Sequence, residues 1–180
     1  MLTRSWCLLF AIVLAGLPST SAPSPGEAKM PQEKFVGAWR LVSVETVRPS
    51  GEIIYPYYGK HPEGLIVYDA SGWMSVQIVS DPPPTHPSAS SREEMLQAPS
   101  AEKSAAFDGY YAYFGTWTVD ETKATVTHHI KQSLFPAERG EEGVRHFELD
   151  GDRLTLTAKT HEMGEDHKRK VVWERLRRQP

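Results

Sequence analysis

The chain has 180 residues, with 20 Lys and Arg against 23 Asp and Glu, and a formal net charge of −3. That mild acidity argues against a nucleic-acid-binding surface, where a basic patch or stripe is expected. The single cysteine, Cys7, leaves no pair for an internal disulfide, so the fold must rest on packing.

Met1 to Trp6 carry one positive charge at Arg4, Cys7 to Leu17 run apolar without a charge, and Thr20-Ser21-Ala22 supply small residues. This order predicts a signal peptide over residues 1–22, removed after Ala22. The apolar run is about half the roughly 20 residues that span a bilayer, so no stable membrane insertion is expected after cleavage. An extracytoplasmic location, periplasmic or secreted, follows as an expectation. Residues 23–33 are rich in Pro, Ser, Gly and Ala and read as a flexible leader. Residues 34–177 are then one domain. The basic cluster Lys168-Arg169-Lys170 with Arg175, Arg177 and Arg178 reads as a solvated strand and tail.

From Phe35 onward the apolar period is two, which predicts strands. Trp39, Leu41, Ser43 and Glu45 alternate with Arg40, Val42, Val44 and Thr46, and Ile53 to Tyr57 forms a short strand. Leu65 to Tyr68 and Trp73 to Val79 flank the turn Asp69-Ala70-Ser71-Gly72. After Asp81-Pro82-Pro83-Pro84 the pattern changes. Ser91-Arg92-Glu93-Glu94 has the form of a helix cap, and Ser100 to Tyr111 predicts a second helix capped by Ser100. Such an insertion, about 91–111, is expected to lie across a barrel mouth, with Phe107, Tyr110 and Tyr111 covering it.

Strands resume with Tyr113 to Val119, Ala124 to Lys131, Val144 to Leu149, Leu154 to Thr160 and Lys170 to Leu176. Asp150-Gly151 is a strong hairpin dipeptide, and Met163-Gly164-Glu165-Asp166 links the last two strands. Consecutive hairpins predict an all-β, up-and-down antiparallel barrel of eight or nine strands with a short helical insertion.

Gly37-Ala38-Trp39 and Trp173-Glu174-Arg175 together resemble the lipocalin signature, Gly37, Trp39 and Arg175 being its structural residues. The resemblance implies that Arg175 lies over the Trp39 ring at the closed base, a contact that suits a guanidinium. A wider set is similar to the bacterial and fungal lipocalin-like domain family. It comprises Phe35 to Leu41, Tyr68-Asp69 through Gly72-Trp73-Met74-Ser75, Ala112 to Thr116, Thr127-His128-His129 and Trp173-Glu174-Arg175, in the expected order. The family implies a calycin-type barrel with a small-molecule site and leaves the chemistry open.

Phase nominates inward side chains. Arg145 shares a face with Phe147 and Leu149, and Glu45 shares one with Trp39 and Leu41, so Glu45 is a candidate counter-charge to Arg145 across the lumen. One of His128 and His129 must face inward, since neighbours on a strand point opposite ways. The same geometry speaks against a metal site, and no cofactor is implied. His61, His86, His161 and His167 read as loop or turn residues. Tyr68, Met74, Tyr113, Trp117, His128, Arg145 and Trp173 form the candidate ligand-contacting set. Gln77 lies on the opposite phase from Met74.

No nucleophile elbow, phosphate loop or cysteine nucleophile is present. The expected function is binding of a small, largely apolar molecule in the barrel. The alternative is an isomerase- or cyclase-type enzyme using Glu45, His128 and Arg145 as acid–base candidates. Oligomeric state is left open.

Overall fold

Alternating apolar and polar side chains can bury one face only if the sheet curls around it, and this sheet closes on itself. The computed structural model describes residues 31–85 and 88–177. The predicted signal peptide over residues 1–22, residues 23–30 of the predicted leader, His86 and Arg178 lie outside the described residues. A 3-10 turn at Pro31–Lys34 leads into β1 (Gly37–Val47), β2 (Ile53–Ile54), β3 (Glu63–Tyr68) and β4 (Trp73–Val79). Helices α1 (Arg92–Gln97) and α2 (Ser100–Asp108) follow. Then come β5 (Tyr110–Asp120), β6 (Thr125–Ser133), β7 (Glu142–Asp150), β8 (Arg153–Glu162) and β9 (Glu165–Arg175).

All pairings are antiparallel, and β9 returns to β1 from Trp39↔Arg175 to Val47↔Lys168. β1 and β3 to β9 thus make a closed eight-stranded barrel. β3 uses one half of the free edge of β1, at Gly37 to Arg40, and β2 takes the other half, at Thr46 and Val47. The core sits inside the barrel, concentrated at one end around Trp39, Tyr68, Met74, Trp117 and Leu154.

That end is sealed. Phe35 plugs it, meeting Phe147 and Tyr68 edge to face at ring distances of 4.9 and 5.7 Å. Its carbonyl accepts the Trp39 indole N–H at 2.9 Å. The Arg175 guanidinium lies 3.9 Å from the Trp39 ring centroid and donates to the Val36 carbonyl at 2.8 Å. Gly37 makes room for it. Its φ is +135°, and a Cβ there would stand 3.1 Å from Arg175 Nη1.

Two bulges re-aim side chains. In β1, Leu41 pairs with Trp173 but Ser43 with Val172, so Val42 is an extra residue. Beyond it Val44 and Thr46 turn inward, and Glu45 turns away from the lumen. The expectation that Glu45 shares the face of Trp39 and Leu41 is therefore corrected, because the extra residue inverts the phase. In β6, Lys131 is the extra residue opposite Phe114 and Gly115. A Cβ on Gly115 would lie 2.0 Å from the His129 carbonyl oxygen, so only glycine allows the strands this close.

The helices differ from expectation in three ways. Ser91 does cap α1, accepting from the Glu94 N–H. Pro99, not Ser100, occupies the cap position of α2, without a side-chain bond, and Tyr110 and Tyr111 belong to β5. Lys103 reaches back to the Leu96 carbonyl. Neither helix has a buried residue, and neither lines the lumen, because α2 carries no apolar stripe to hold it down. His161 and His167 sit in strands rather than in a turn, since the β8–β9 hairpin turns tightly at Met163 and Gly164, both at positive φ.

Replacing Trp39 by Ala is expected to cost about 3–5 kcal/mol in denaturant unfolding, as for other large core truncations. Arg175→Met should cost less, because its aliphatic stem still covers part of the ring. Equal losses would contradict a base that rests first on the indole.

Candidate functional site

Above the sealed base the barrel is not filled by its own side chains. A cavity of about 290 Å3 remains, open at the far end. Its apolar wall comes from inward positions of successive strands: Val44, Ile66, Val76, Ile78, Leu156 and Val171. Ala158 leaves space where a larger residue would intrude.

At the inner end, β6 places His128 inside and His129 outside, where His129 meets Glu142 and Thr118. His128 is fully enclosed, and both ring nitrogens are engaged: Nε2 with Tyr68 Oη and Nδ1 with Tyr113 Oη, each at 2.7 Å. Burial, reinforced by the positive charges of Arg145 and His129, holds its pKa well below the usual histidine value. The imidazole is therefore neutral, with one N–H to donate and one lone pair to accept. Both phenols are pushed above the ordinary tyrosine range, Tyr68 by burial and then by Tyr113, and Tyr113 chiefly by burial. All three groups stay uncharged near neutral pH.

Hydrogen-bond economy selects the tautomer. Tyr68 is closed in by the core, and His128 is its hydroxyl's one partner among the described residues. Tyr68 O–H must therefore donate to Nε2, or its proton is buried without an acceptor. Nδ1–H then donates to Tyr113, whose own O–H is left facing the cavity that Tyr113 lines.

Arg145 also lines the cavity, 6.0 Å from the Tyr113 ring centroid. Its Nη1 donates to the Gly143 carbonyl at 2.6 Å. Among the described residues no carboxylate lies within salt-bridge distance of it. Nearer the mouth, Glu138 accepts from Tyr111 Oη at 2.8 and 2.9 Å and from Ser133 Oγ at 2.7 Å. Arg169 pairs with Glu162, and Tyr58 from the β2–β3 loop leans over the opening. Burial raises the Tyr58 pKa to about 12 and pushes Tyr111 up further.

Of the residues singled out from sequence, Tyr113, His128, Arg145 and Trp173 line the cavity. Tyr68 lies behind His128 and reaches the site only through it, while Met74 and Trp117 belong to the sealed base. Glu45 is not brought to His128 and Arg145, so the acid–base trio does not assemble. Tyr58, Glu138 and Glu162 line the cavity without having been singled out; Tyr111, expected in a helix over the mouth, lines it from β5, and Arg169, expected on a solvated basic strand, faces the lumen instead. Arg169 was accessible by counting inward in twos from Trp173. Glu138 stands on a 3-10 turn and Tyr58 on a residue-by-residue loop, where no period applies. Among the described residues no group of three or more His, Cys, Asp or Glu is placed to hold a metal, and no helix is long and apolar enough to cross a membrane.

A family model described as a lipocalin-like domain matches residues 36–176, the span of the barrel. No curated protein matches the chain.

His128 gives the site a pH signature. Its unfolded form takes up a proton near pH 6.5 while the folded form does not, so its contribution to stability is complete above that pH and falls as the medium is acidified. The loss approaches about 1.4 kcal/mol per pH unit between pH 6.5 and the depressed native value. Urea midpoints measured from pH 7.5 to 5 should fall more steeply for the wild type than for His128→Gln. Parallel curves would contradict a buried neutral imidazole.

Proposed function

The chain belongs to the lipocalin-like domain family, and from that premise we propose that it is an exported protein binding one small, largely apolar molecule inside the barrel. The observation that carries this reading is the position of the empty space. The lumen is closed at the base by Phe35, Trp39 and Arg175, open at the other end, and walled by aliphatic side chains with a few polar groups at its inner end. An eight-stranded barrel is wide enough for one small ligand, and a volume of about 290 Å3 lies at the lower edge of the range of small-molecule pockets. Burial of an apolar ligand against Ile66, Val76 and Leu156 supplies the driving force, and the polar groups set orientation. Export rests on the charged, apolar and small-residue order of residues 1–22.

One experiment tests both parts. The protein is purified from the extracytoplasmic fraction of its own host and weighed under denaturing and native conditions. The denatured mass should equal a chain beginning at Pro23, and the native mass should exceed it by one small molecule. An intact Met1 would contradict export, and equal masses would contradict ligand carriage.

A further inference from the structure

The cavity presents hydrogen-bond donors that the protein itself leaves unmatched. Among the described residues, four buried side-chain polar atoms lack a partner: Thr160 Oγ1, His167 Nδ1, Arg169 Nε and Trp173 Nε1. Thr160, Arg169 and Trp173 all line the lumen. An indole N–H and a guanidinium Nε–H can only donate. Trp173 is 2% exposed, so bulk water does not serve it. Arg145 has a carbonyl but no carboxylate partner, and the Tyr113 hydroxyl proton faces the same space.

The acceptors on the wall are already committed. Glu138 takes bonds from Tyr111 and Ser133, and Glu162 takes Arg169. The lining carries two arginines and two glutamates, so its formal charge balances; what is left over is donors, because Glu138 and Glu162 already accept while Arg145, Arg169 Nε–H and Trp173 Nε1–H have no side-chain acceptor of their own.

These donors also stand at two depths. Trp173 and Arg169 share the inward face of β9 four residues apart, which is about 13 Å along a strand. Trp173, Tyr113 and Arg145 serve the inner end. Arg169 Nε and the Thr160 hydroxyl serve the outer end.

We propose that the ligand is an oxygenated organic acid, held by its carboxylate on Arg145 and Tyr113 at the inner end, with its apolar skeleton along the lumen and a second oxygen acceptor taken by Arg169 and Thr160 near the mouth. This deepens the binding reading above and rests on it. A carboxylate accepts from a guanidinium in paired geometry and from a hydroxyl at the same time. The neutral His128, donating into Tyr113 oxygen from behind, sharpens that hydroxyl as a donor.

The test is calorimetric titration of the mature protein at about pH 7.5, where a carboxylic acid is ionised. The probes are decanoic acid, decanol and ω-hydroxydecanoic acid. The wild type should bind decanoic acid about 10-fold or more tighter than decanol, the scale of a charge-assisted hydrogen bond. Arg145→Met should erase that preference by weakening decanoic acid about 10-fold more than decanol, and Arg145→Lys, which keeps the charge, should retain part of it. The ω-hydroxy acid should bind at least as tightly as decanoic acid in the wild type and more weakly in Thr160→Val. Decanol bound as tightly as decanoic acid by the wild type would overturn the acid assignment and leave the apolar cavity standing. A preference that survives Arg145→Met would do the same. Failure of all three probes to bind would overturn the cavity reading itself.

Discussion

Arg175 lies over the Trp39 ring while its outer nitrogens are held by the carbonyls of Lys34 and Val36. Both residues belong to strands whose pairing closes the barrel, Trp39 opposite Arg175 in the β1–β9 ladder. Closure of the sheet and closure of its base are thus one event. A guanidinium suits the position because it covers an aromatic face at modest desolvation cost and still satisfies backbone carbonyls. With the base shut by Phe35, Trp39, Phe147 and Trp117, free volume is displaced to the opposite end. The lumen there is accessible, and its polarity is graded from aromatic core through the Tyr–His–Tyr row to the ion pairs at the rim.

The Tyr68–His128–Tyr113 row joins the two halves. Tyr68 is packed between Phe35 and Trp117 in the core, and Tyr113 faces the cavity. His128 between them is satisfied on both sides, which is how a polar group survives complete burial. The row transmits a directional preference: the proton of the deepest hydroxyl is used up in the core, and the last one emerges into the lumen. Arg145, one strand over on β7, adds charge at the same level. What the sequence pattern marks as three independent polar residues is in the structure one hydrogen-bonded chain with a cation at its end.

Much of this was legible from residue order. Period two located the barrel strands, the hairpin at Asp150-Gly151 and the insertion after β4. Phase alone placed Arg145 with Phe147, and narrowed the inner histidine to one of a pair. Phase fails where a strand carries an extra residue. Val42 inverts β1, so Glu45 leaves the lumen and Val44 and Thr46 enter it, and no feature of the local sequence announces the bulge. The helical insertion was recognisable from Ser91 and the acidic first turn; neither helix lines the lumen, but Phe107 at the end of α2 shares a recess with Tyr58, Tyr111 and Arg169 beside the mouth. Tyr58 and Glu138, which do stand at the mouth, come from a turn and a 3-10 segment whose placement depends on tertiary contacts alone.

The central claim is that this barrel keeps an open, ligand-sized lumen rather than a self-filled core. Ala158 faces that space from β8, so Ala158→Phe should fill it from within at little cost to the surrounding strands. The decisive measurement is a fluorescence titration of the wild-type protein and Ala158→Phe with an uncharged apolar probe. Each unfolding transition is recorded alongside to verify the fold. Saturable one-to-one binding by the wild type, with Trp173 emission quenched, and none by a stably folded Ala158→Phe is the predicted result. A wild type that takes up no probe, or a variant that binds equally well, would contradict the account.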